Sequence, residues 1–385
     1  MNLVRGGASS SPASLFAASE PGVWYDPSDL TTLFQDSAGT TPVTAPNQTV
    51  GKMLDKSGRG NHATQATLGQ RPTYGINPIV GTRNLLLATD TMATQSRTVT
   101  AVAHTLSFTG TGTVTLTGAS IAGPLIGTGA GNRVSLTFTP TAASLTMTVV
   151  GSVTFAQLEL GSTATAYQKV VTQYEVTEAG VASASYISFD GTDDSMVTGT
   201  ITPGIDKVQV FAGVRKLSDA AQGVLVELSA TTSSNAGSFN IQAPNGGGAN
   251  YRFLSGGTTR VPLDTPNSYA APITNVVVGV SDISAPSETI RINGSQVATS
   301  ASSQGTGNYL AYPLYIGRRG GSSLPYNGRL YSMIVRFGAN LTTGQITSTE
   351  SWVNSKTGAM TWILTQGTWY DDGQWYDTAT WTDGV

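Results

Sequence analysis

The sequence predicts an all-β fold in which a larger β-sandwich is interrupted by a smaller one, with a short helix near the carboxyl end and extended termini. Three observations predict it. Charged residues make up only 11% of the chain, against about 25% in a typical globular protein, and Gly, Ser, Thr and Ala replace them. The net charge is only -3, which favours a folded, turn-rich chain over a disordered one. Short segments with period-2 alternation, separated by glycines, recur along most of the length.

The pattern divides the chain into four regions. Residues 1–20 are small and polar, and predict a flexible or partner-bound N-terminal arm. Residues 21–82 and 173–356 carry the strands and turns of the larger sandwich, beginning with strand-to-turn signals at 24–30 and 52–63. Residues 83–172 are predicted to form the inserted sandwich, and residues 357–385 form a Trp-rich C-terminal tail.

The insert is almost free of acidic residues, and its alternating segments are spaced by glycines, as in a small antiparallel sandwich. We expect strands at Thr98–Phe108, Thr113–Leu116, Val134–Phe138 and Leu145–Val149. A linker is expected at Glu175–Glu178, whose two glutamates favour solvent.

Eight further strands are predicted after the insert, enough for a larger two-sheet sandwich. They are Tyr186–Asp190, Val208–Val214, Val224–Leu228, Ser238–Gln242, Asn275–Val280, Thr289–Ile292, Leu314–Gly317 and Arg329–Phe337. One helix is predicted at Thr342–Val353, where Ile346, Trp352 and Val353 can share a face.

The tail concentrates large aromatic residues in a segment of Asp, Gly and Thr: Trp362, Trp369, Trp375 and Trp381, with Tyr370 and Tyr376. Each ring buries about 150 to 250 Å² when it packs, and so short a segment cannot bury all of them by itself. We therefore predict that the tail docks onto another protein subunit, in a homo-oligomer or in a larger assembly.

Composition also excludes several classes of partner. Twenty basic residues against 23 acidic ones give no field that would attract nucleic acid. The absence of cysteine excludes disulfides and thiolate metal sites. No apolar run reaches the length of a membrane span or a signal peptide, so we expect no membrane insertion and synthesis in a cytoplasm without export.

Several blocks of the sequence resemble the concanavalin A-like or laminin G-like lectin modules of tailed-bacteriophage virion proteins, over roughly residues 22–80 and 174–356. These blocks are Tyr25–Asp29, Leu54–Ala63, Phe189–Asp194, Tyr315–Arg318 and Asn327–Tyr331. The end of the insert, Ala156–Tyr167, resembles the last strand of the jelly-roll carbohydrate-binding modules that accompany them. The resemblance implies a jelly-roll lectin-like fold in a virion.

The sequence offers no convincing catalytic set. Jelly-roll glucanases of this fold class place two carboxylates on one strand face as Glu-x-Asp-x-x-Glu, and none of the seven glutamates here has an Asp two positions later. A Ser nucleophile would need a His base, yet only His62 and His104 occur, and each fits a structural role. We predict no enzyme, no catalytic residues, no cofactor and no His-based zinc site.

Three ligand hypotheses arise from the sequence, and each has a structural alternative. Calcium is the better metal candidate, because Asp190, Asp193 and Asp194 lie in one turn; we favour the alternative that they accept backbone N–H bonds of the turn. Arg318 and Arg319 could contact an acidic glycan, but a solvated loop rim is favoured. Loop aromatics that could stack on sugars, Tyr251, Tyr309, Tyr312 and Tyr326, fit core packing equally well. Metal ligands are predicted to be none, and the ligand-binding residues stay open.

The functional prediction is a structural virion protein, in the tail tip, a fibre or a capsid decoration, that presents lectin-like domains for attachment to host-surface glycan. Its expected partners are other virion proteins, further copies of itself and host-surface polysaccharide. It would be made in the host cytoplasm and reside in the virion. The alternative is a polysaccharide-degrading tail enzyme, a hydrolase or a lyase.

Overall fold

The computed structural model describes residues 11–230 and 236–358, together with the backbone of a short strand pair at 368–369 and 375–376. It confirms the all-β fold class. The described chain consists of β-sandwich sheets, three short 3-10 helices and one α-helix near the carboxyl end.

The strands occur in three groups along the chain. Before the insert they are β1 (Gly22–Tyr25), β2 (Leu33–Phe34), β3 (Lys52–Met53), β4 (Ala63–Thr64) and β5 (Thr73–Pro78). In the insert they are β6 (Gln95–Thr98), β7 (His104–Gly110), β8 (Thr113–Gly118), β9 (Leu125–Ile126), β10 (Gly129–Phe138), β11 (Ser144–Val150) and β12 (Val153–Leu160).

After the insert the strands are β13 (Gln168–Thr172), β14 (Glu175–Glu178), β15 (Ser183–Asp190), β16 (Met196–Ile201), β17 (Lys207–Lys216), β18 (Val224–Leu228), β19 (Ser238–Gln242), β20 (Arg252–Gly256), β21 (Arg260–Asp264), β22 (Ile273–Asp282), β23 (Ser287–Ile292), β24 (Ser295–Ser300), β25 (Tyr312–Ile316) and β26 (Asn327–Phe337). The tail pair is β27 (Thr368–Trp369) with β28 (Trp375–Tyr376). The helices are 3-10 turns at Pro12–Phe16, Leu30–Thr32 and Leu68–Gln70, and α1 (Thr343–Thr357).

The larger sandwich consists of two sheets. Sheet 1 has the order β13-β14-β5-β15-β26-β17-β22-β23-β24, with β1 also pairing with β26. Sheet 2 has the order β2-β3-β4-β16-β25-β18-β19-β20-β21. The long strand β26 is central because β15 pairs with its first half and β1 with its second half. Alternate residues of β17, among them Val208, Val210 and Val214, pack in a core with Phe239 and Leu314 of sheet 2.

The other face of sheet 1 is covered by α1 and by the segment that precedes β1. Helix α1 begins with a capping box between Thr342 and Gln345, and its Trp352 and Val353 pack on Phe211 of β17. The predicted helix is confirmed and extends to Thr357. Both faces of β17 are therefore buried, so buried and exposed positions do not alternate along this strand.

Residues 11–20 are not a free arm, contrary to the sequence prediction. Leu15 and Phe16 are buried in the same outer cluster as α1. Arg336 of β26 donates to the Leu15 carbonyl at 2.7 Å and pairs with Glu20 at 2.8 Å. These two apolar side chains and one ion pair hold the segment against sheet 1. Residues 1–10 lie outside the described residues.

The insert forms a smaller sandwich with its own core. Its sheets are sheet 3, with the order β10-β7-β12, and sheet 4, with the order β6-β11-β8-β9. Leu86, Leu106, Phe108, Leu116 and Leu158 belong to a cluster separate from the core of the larger sandwich. The predicted insert extended to residue 172, but β13 pairs with β14 of sheet 1, so residues 168–172 belong to the larger sandwich.

The segment Glu175–Glu178 is strand β14 of sheet 1 and not a solvated linker. Glu178 can face protein because Arg83 forms an ion pair with it at 2.7 Å, and the same Arg83 lies 3.8 Å from Glu159 of the insert. One arginine thus connects carboxylates of both sandwiches. Among the described residues, no helix has the length and apolar character needed to cross a membrane.

Candidate functional site

The main candidate site is a cleft where the two sandwiches meet, which we call the junction cleft. Its volume is about 740 Å³, within the range of about 300 to 1,000 Å³ typical of small-molecule sites. It is lined by Asp90, Thr91, Thr154, Phe155, Tyr167, Lys169, Thr177, Glu178 and Ala179. The insert supplies Thr154 and Phe155 from β12, whereas Lys169 and Thr177 come from strands of sheet 1.

Phe155 is the aromatic wall of the junction cleft. Between Thr154 and Gln157, β12 shifts its pairing with β7. Across this gap Phe155 N–H donates to the Asp90 carbonyl at 3.4 Å, and the next residue donates to the Thr89 carbonyl. A bulge of this kind re-aims a side chain, and here it gives Phe155 a φ of 51°. Phe155 is 47% exposed.

An exposed phenylalanine in the left-handed region is unfavourable on two counts. A non-glycine residue at positive φ costs on the order of 1 to 3 kcal/mol, and such residues concentrate at functional sites. The exposed ring also forgoes the burial that stabilises most phenylalanines. The conformation leaves part of the Phe155 ring facing the junction cleft.

Tyr167 completes the aromatic surface. Its ring lies edge-on to Phe155, with 5.4 Å between centroids and an interplanar angle of 73°. Its hydroxyl donates to Asp90 Oδ1 at 3.1 Å and lies 2.7 Å from Thr89 Oγ1. Burial raises the pKa of Tyr167 to about 12, so the hydroxyl stays protonated and fixes the ring beside Phe155.

Asp90 and Lys169 supply charged groups at the edge of the aromatic pair. Lys169 Nζ lies 2.5 Å from Asp90 Oδ2, and the two side chains are 44% and 47% exposed. The hydrogen bond to Asp90 raises the pKa of Lys169. A carboxylate and an ammonium group therefore stand in solvent next to two rings, where the carboxylate can accept hydrogen bonds from a polar ligand and the ammonium group can donate to one.

The second carboxylate of the junction cleft, Glu178, is committed to structure. Arg83 donates to both of its oxygens, at 2.8 and 2.7 Å, and Gln168 donates at 2.9 Å. The Arg83 hydrogen bond is the largest cause of a lowered pKa for Glu178. A general acid for glycoside cleavage needs a raised pKa, so Glu178 is unsuited to that role.

Carboxyl groups with a raised pKa lie away from the junction cleft. Burial raises the pKa of Glu288 to about 9 and of Asp194 to about 7, and it also raises that of Glu227. Glu227 pairs with Arg319 at 3.2 Å, and Glu288 lies in the larger sandwich with 1% of its surface exposed. In the described part of the chain, none of these groups lines the junction cleft.

The histidines and the paired arginines have structural contacts. His62 Nδ1 accepts the Asp55 N–H at 3.0 Å within its turn. His104 is buried, hydrogen-bonds the Val102 carbonyl at 2.8 Å and stacks on Phe138. Arg318 donates to the carbonyls of Asp193 and Ser322. Together with the Arg319–Glu227 ion pair, these hydrogen bonds hold the Arg318–Arg319 loop against neighbouring segments, so the loop is not merely a solvated rim.

The aspartate turn is arranged as the turn interpretation predicts. Asp190 Oδ1 accepts the backbone N–H groups of Thr192 at 2.7 Å and Asp193 at 3.2 Å, and Asp194 Oδ2 accepts that of Asp190 at 3.0 Å. Carboxylate oxygens of the three aspartates lie within 4.8 Å of one another. Because backbone groups already use two of these carboxylates, the cluster by itself does not establish calcium.

The tyrosines considered as sugar platforms belong largely to the interior. Tyr251, Tyr309 and Tyr326 are 0%, 1% and 0% exposed, and only Tyr312 of the four is partly exposed. Sequence reasoning missed Phe155, because the alternating segment Val153–Leu160 looks like an ordinary strand. Nothing in the residue types reveals the bulge that turns its ring outward.

No protein-family model matches the sequence, and no curated protein matches it. Among solved structures, the chain is similar to the carbohydrate-binding module CBM40 of a Ruminococcus gnavus sialidase bound to sialyllactose, with 16% identity, a TM-score of 0.32 and coverage of 38% of this chain and 84% of that one. It is also similar to a heptameric pentraxin of Limulus polyphemus, with 18% identity, a TM-score of 0.34 and coverage of 42% and 79%.

A third similar structure is a botulinum neurotoxin serotype D/C binding domain, with 11% identity and a TM-score of 0.34. The match covers 44% of this chain and 43% of that domain.

Proposed function

We propose that the chain is a non-enzymatic virion protein of a tailed bacteriophage that binds host-surface glycan in the junction cleft. The observation that carries the binding role is the Phe155 ring, held outward at positive φ beside Tyr167, Asp90 and Lys169. The virion context rests on the sequence resemblance of the larger sandwich and of the end of the insert.

The chemistry of the junction cleft suits a pyranose sugar. One face of a pyranose ring is made of C–H groups and stacks on an aromatic ring, while its rim of hydroxyls needs donors and acceptors. Phe155 offers the apolar surface, and Asp90 and Lys169 offer an acceptor and a donor within the same cleft. Thr91 and Thr154 add hydroxyls at the edge.

The first experiment measures the binding of purified host capsular polysaccharide and lipopolysaccharide to the full chain by surface plasmon resonance. Phe155→Ala should abolish binding at millimolar sugar. The matched control is Leu160→Ala, because Leu160 ends the same strand, is 59% exposed and does not line the junction cleft. Equal affinity of the two variants would contradict the assignment of the site, and no binding by the wild-type chain would leave a purely structural role.

The alternative function, degradation of a polysaccharide, makes a different prediction in the same samples. An enzyme would release oligosaccharides with time, and the loss of a catalytic carboxylate would stop the release. We expect none, because Glu178 is paired with Arg83 and has a lowered pKa. Time-dependent release that survives in Phe155→Ala and stops in Asp90→Asn would favour the enzyme.

The virion assignment is tested independently of sugar binding. Particles assembled from the genome that encodes the chain should contain it as a stoichiometric component by mass spectrometry, and cryo-electron microscopy should locate it in the tail tip, a fibre or the capsid surface. Its absence from purified particles would contradict the assignment. In the particle we expect contacts with other virion proteins and with further copies of the chain.

A further inference from the structure

A second pocket lies on the outer face of sheet 1, where it meets the end of α1 and the chain entering the insert. Its volume is about 360 Å³. Two arginines, Arg215 of β17 and Arg329 of β26, line it together with Tyr331, Thr274 and Asn77. No Asp or Glu is among the described residues that line it. We call it the arginine pocket.

Arg215 and Arg329 are directly opposite each other in the β17–β26 ladder. Like charges at directly opposed positions destabilise a sheet, in contrast to opposite charges. Arginine cannot relieve the repulsion by losing its proton. The pair is therefore unfavourable unless an opposing negative charge balances it.

The described part of the chain provides no carboxylate for this purpose. Burial lowers the pKa of Arg215. Among its neighbours, Tyr331, Tyr186 and Tyr326 raise this pKa and Arg329 lowers it, and none of these neighbours is a carboxylate. The hydrogen-bond partners are neutral: Arg215 donates to Thr274 Oγ1 at 3.0 Å and Arg329 donates to Asn77 Oδ1 at 3.1 Å.

Donors remain available on both guanidinium groups. Each group carries five N–H donors, and Arg329 Nε is buried without a partner in the described structure. The Arg329 guanidinium lies 4.3 Å from the centre of the Tyr186 ring, which fixes its plane. A fixed, planar, donor-rich group is suited to bidentate binding of an oxyanion.

Another arginine on the same strand shows how this protein treats a guanidinium that serves structure. Arg336 pairs with Glu20 and also donates to Gln209, to the Leu15 carbonyl and to that of Ala339. Its charge and donors are used internally. Within the described residues, Arg215 and Arg329 have only neutral partners although they share one pocket.

We propose that the arginine pocket binds an oxyanion, either as the carboxylate, sulfate or phosphate group of an acidic saccharide or as a free anion. The anion would bridge the two guanidinium groups, whereas the Tyr331 hydroxyl already donates to Asn77 Oδ1 at 3.2 Å. This site is separate from the junction cleft, so its ligand does not depend on the aromatic site and the two proposals can fail independently.

The test uses the full chain and follows the thermal midpoint, with chloride at matched ionic strength as the reference. Sodium sulfate, sodium phosphate, glucuronate and a glucuronate-containing oligosaccharide are the probes. At least one oxyanion should raise the midpoint of the wild-type chain above that in chloride. Arg215→Gln should bind it roughly tenfold to a hundredfold more weakly, the loss expected for one charge-assisted hydrogen bond.

Two further measurements separate anion binding from a structural role. In chloride alone, Arg215→Gln should raise the midpoint because it removes the repulsion from Arg329, whereas a structural arginine would lower it on removal. Arg252→Gln is the matched control, because Arg252 lies outside the arginine pocket, in sheet 2, where it pairs with Asp264. The response of this variant to anions should equal that of the wild-type chain.

The probes also distinguish the source of the anion. Tighter binding of the glucuronate oligosaccharide than of sulfate or phosphate assigns the pocket to an acidic saccharide, and the reverse order assigns it to a free anion. The proposal is overturned if no probe shifts the midpoint relative to chloride, or if Arg215→Gln and Arg252→Gln respond alike.

Discussion

Replacing Phe155 by glycine and by alanine measures the backbone strain at the junction cleft. Both substitutions remove the same ring, so the loss of side-chain contacts is nearly equal in the two variants. They differ in the backbone, since φ at this position is 51° and only glycine adopts such a value without steric cost. The comparison isolates the strain from the packing.

The expected difference follows from two opposing contributions. Placing an L-residue with a Cβ in the left-handed region costs roughly 1 to 2 kcal/mol. Glycine loses more conformational entropy on folding and is less stable than alanine by roughly 0.5 to 1 kcal/mol in a strand. Phe155→Gly should therefore have a free energy of unfolding about 0.5 to 1 kcal/mol above that of Phe155→Ala.

Urea denaturation followed by circular dichroism measures this difference through the midpoint at constant m-value. Thr148, an exposed residue inside β11 of the insert without a positive φ, is the matched position. There the order should reverse, with Thr148→Gly less stable than Thr148→Ala. If glycine were the less stable choice at both positions by a similar margin, Phe155 would not be strained and the argument for a binding role would lose its basis.

Three other outcomes are expected. Burial and the nearby Asp190 and Asp193 raise the pKa of Asp194 to about 7, so the folded state binds its proton more tightly than the unfolded state and stability falls as pH rises from about 4 to about 7. Asp194→Asn should gain stability relative to the wild-type chain across that window, by at most about 4 kcal/mol. Millimolar calcium should leave the pH profile of wild-type stability unchanged. A calcium-induced rise in stability that Asp194→Asn lacks would favour a metal site. Deleting residues 85–166 and joining the ends should leave the larger sandwich folded by circular dichroism. The insert has a separate core, and its two ends lie close together, since Asn84 Nδ2 is 2.9 Å from the Gln168 carbonyl. Failure of both the deleted chain and the isolated insert to fold would refute nested domains. Truncation after Lys356 should abolish self-association by analytical ultracentrifugation while the sandwiches stay folded, and a truncated chain that still associates would remove the proposed role of the tail.

The central strands of the larger sandwich could be predicted because their residues are strongly apolar. Val208–Val214 and Arg329–Phe337 lie within β17 and β26, at the centre of sheet 1. Edge and near-edge strands such as β14, β21 and β24 were missed because their sequences are polar. In β14 the two glutamates indicated solvent, and the partner that makes a strand possible, Arg83, is 95 residues away from Glu178.

The candidate sites depend on features that the sequence does not display. The outward orientation of Phe155 comes from a bulge in β12 and from hydrogen bonds with the chain at Asp90. The arginine pocket depends on the pairing of Arg215 with Arg329 across two strands far apart in sequence. The covering of sheet 1 by Leu15 and Phe16 was likewise invisible, because two apolar residues in a small, polar segment do not by themselves indicate docking. The tail prediction falls mainly on residues outside the described structure.

Saturation-transfer NMR with simple sugars is the most direct test of glycan binding in the junction cleft. The probes are methyl glycosides of glucose, galactose and rhamnose, with N-acetylglucosamine, each at millimolar concentration. We predict that at least one sugar receives saturation mainly on the C–H groups of one ring face, that Phe155→Ala abolishes the signal and that Leu160→Ala retains it. A signal of equal strength in Phe155→Ala, or one spread evenly over the sugar protons, would contradict stacking on Phe155.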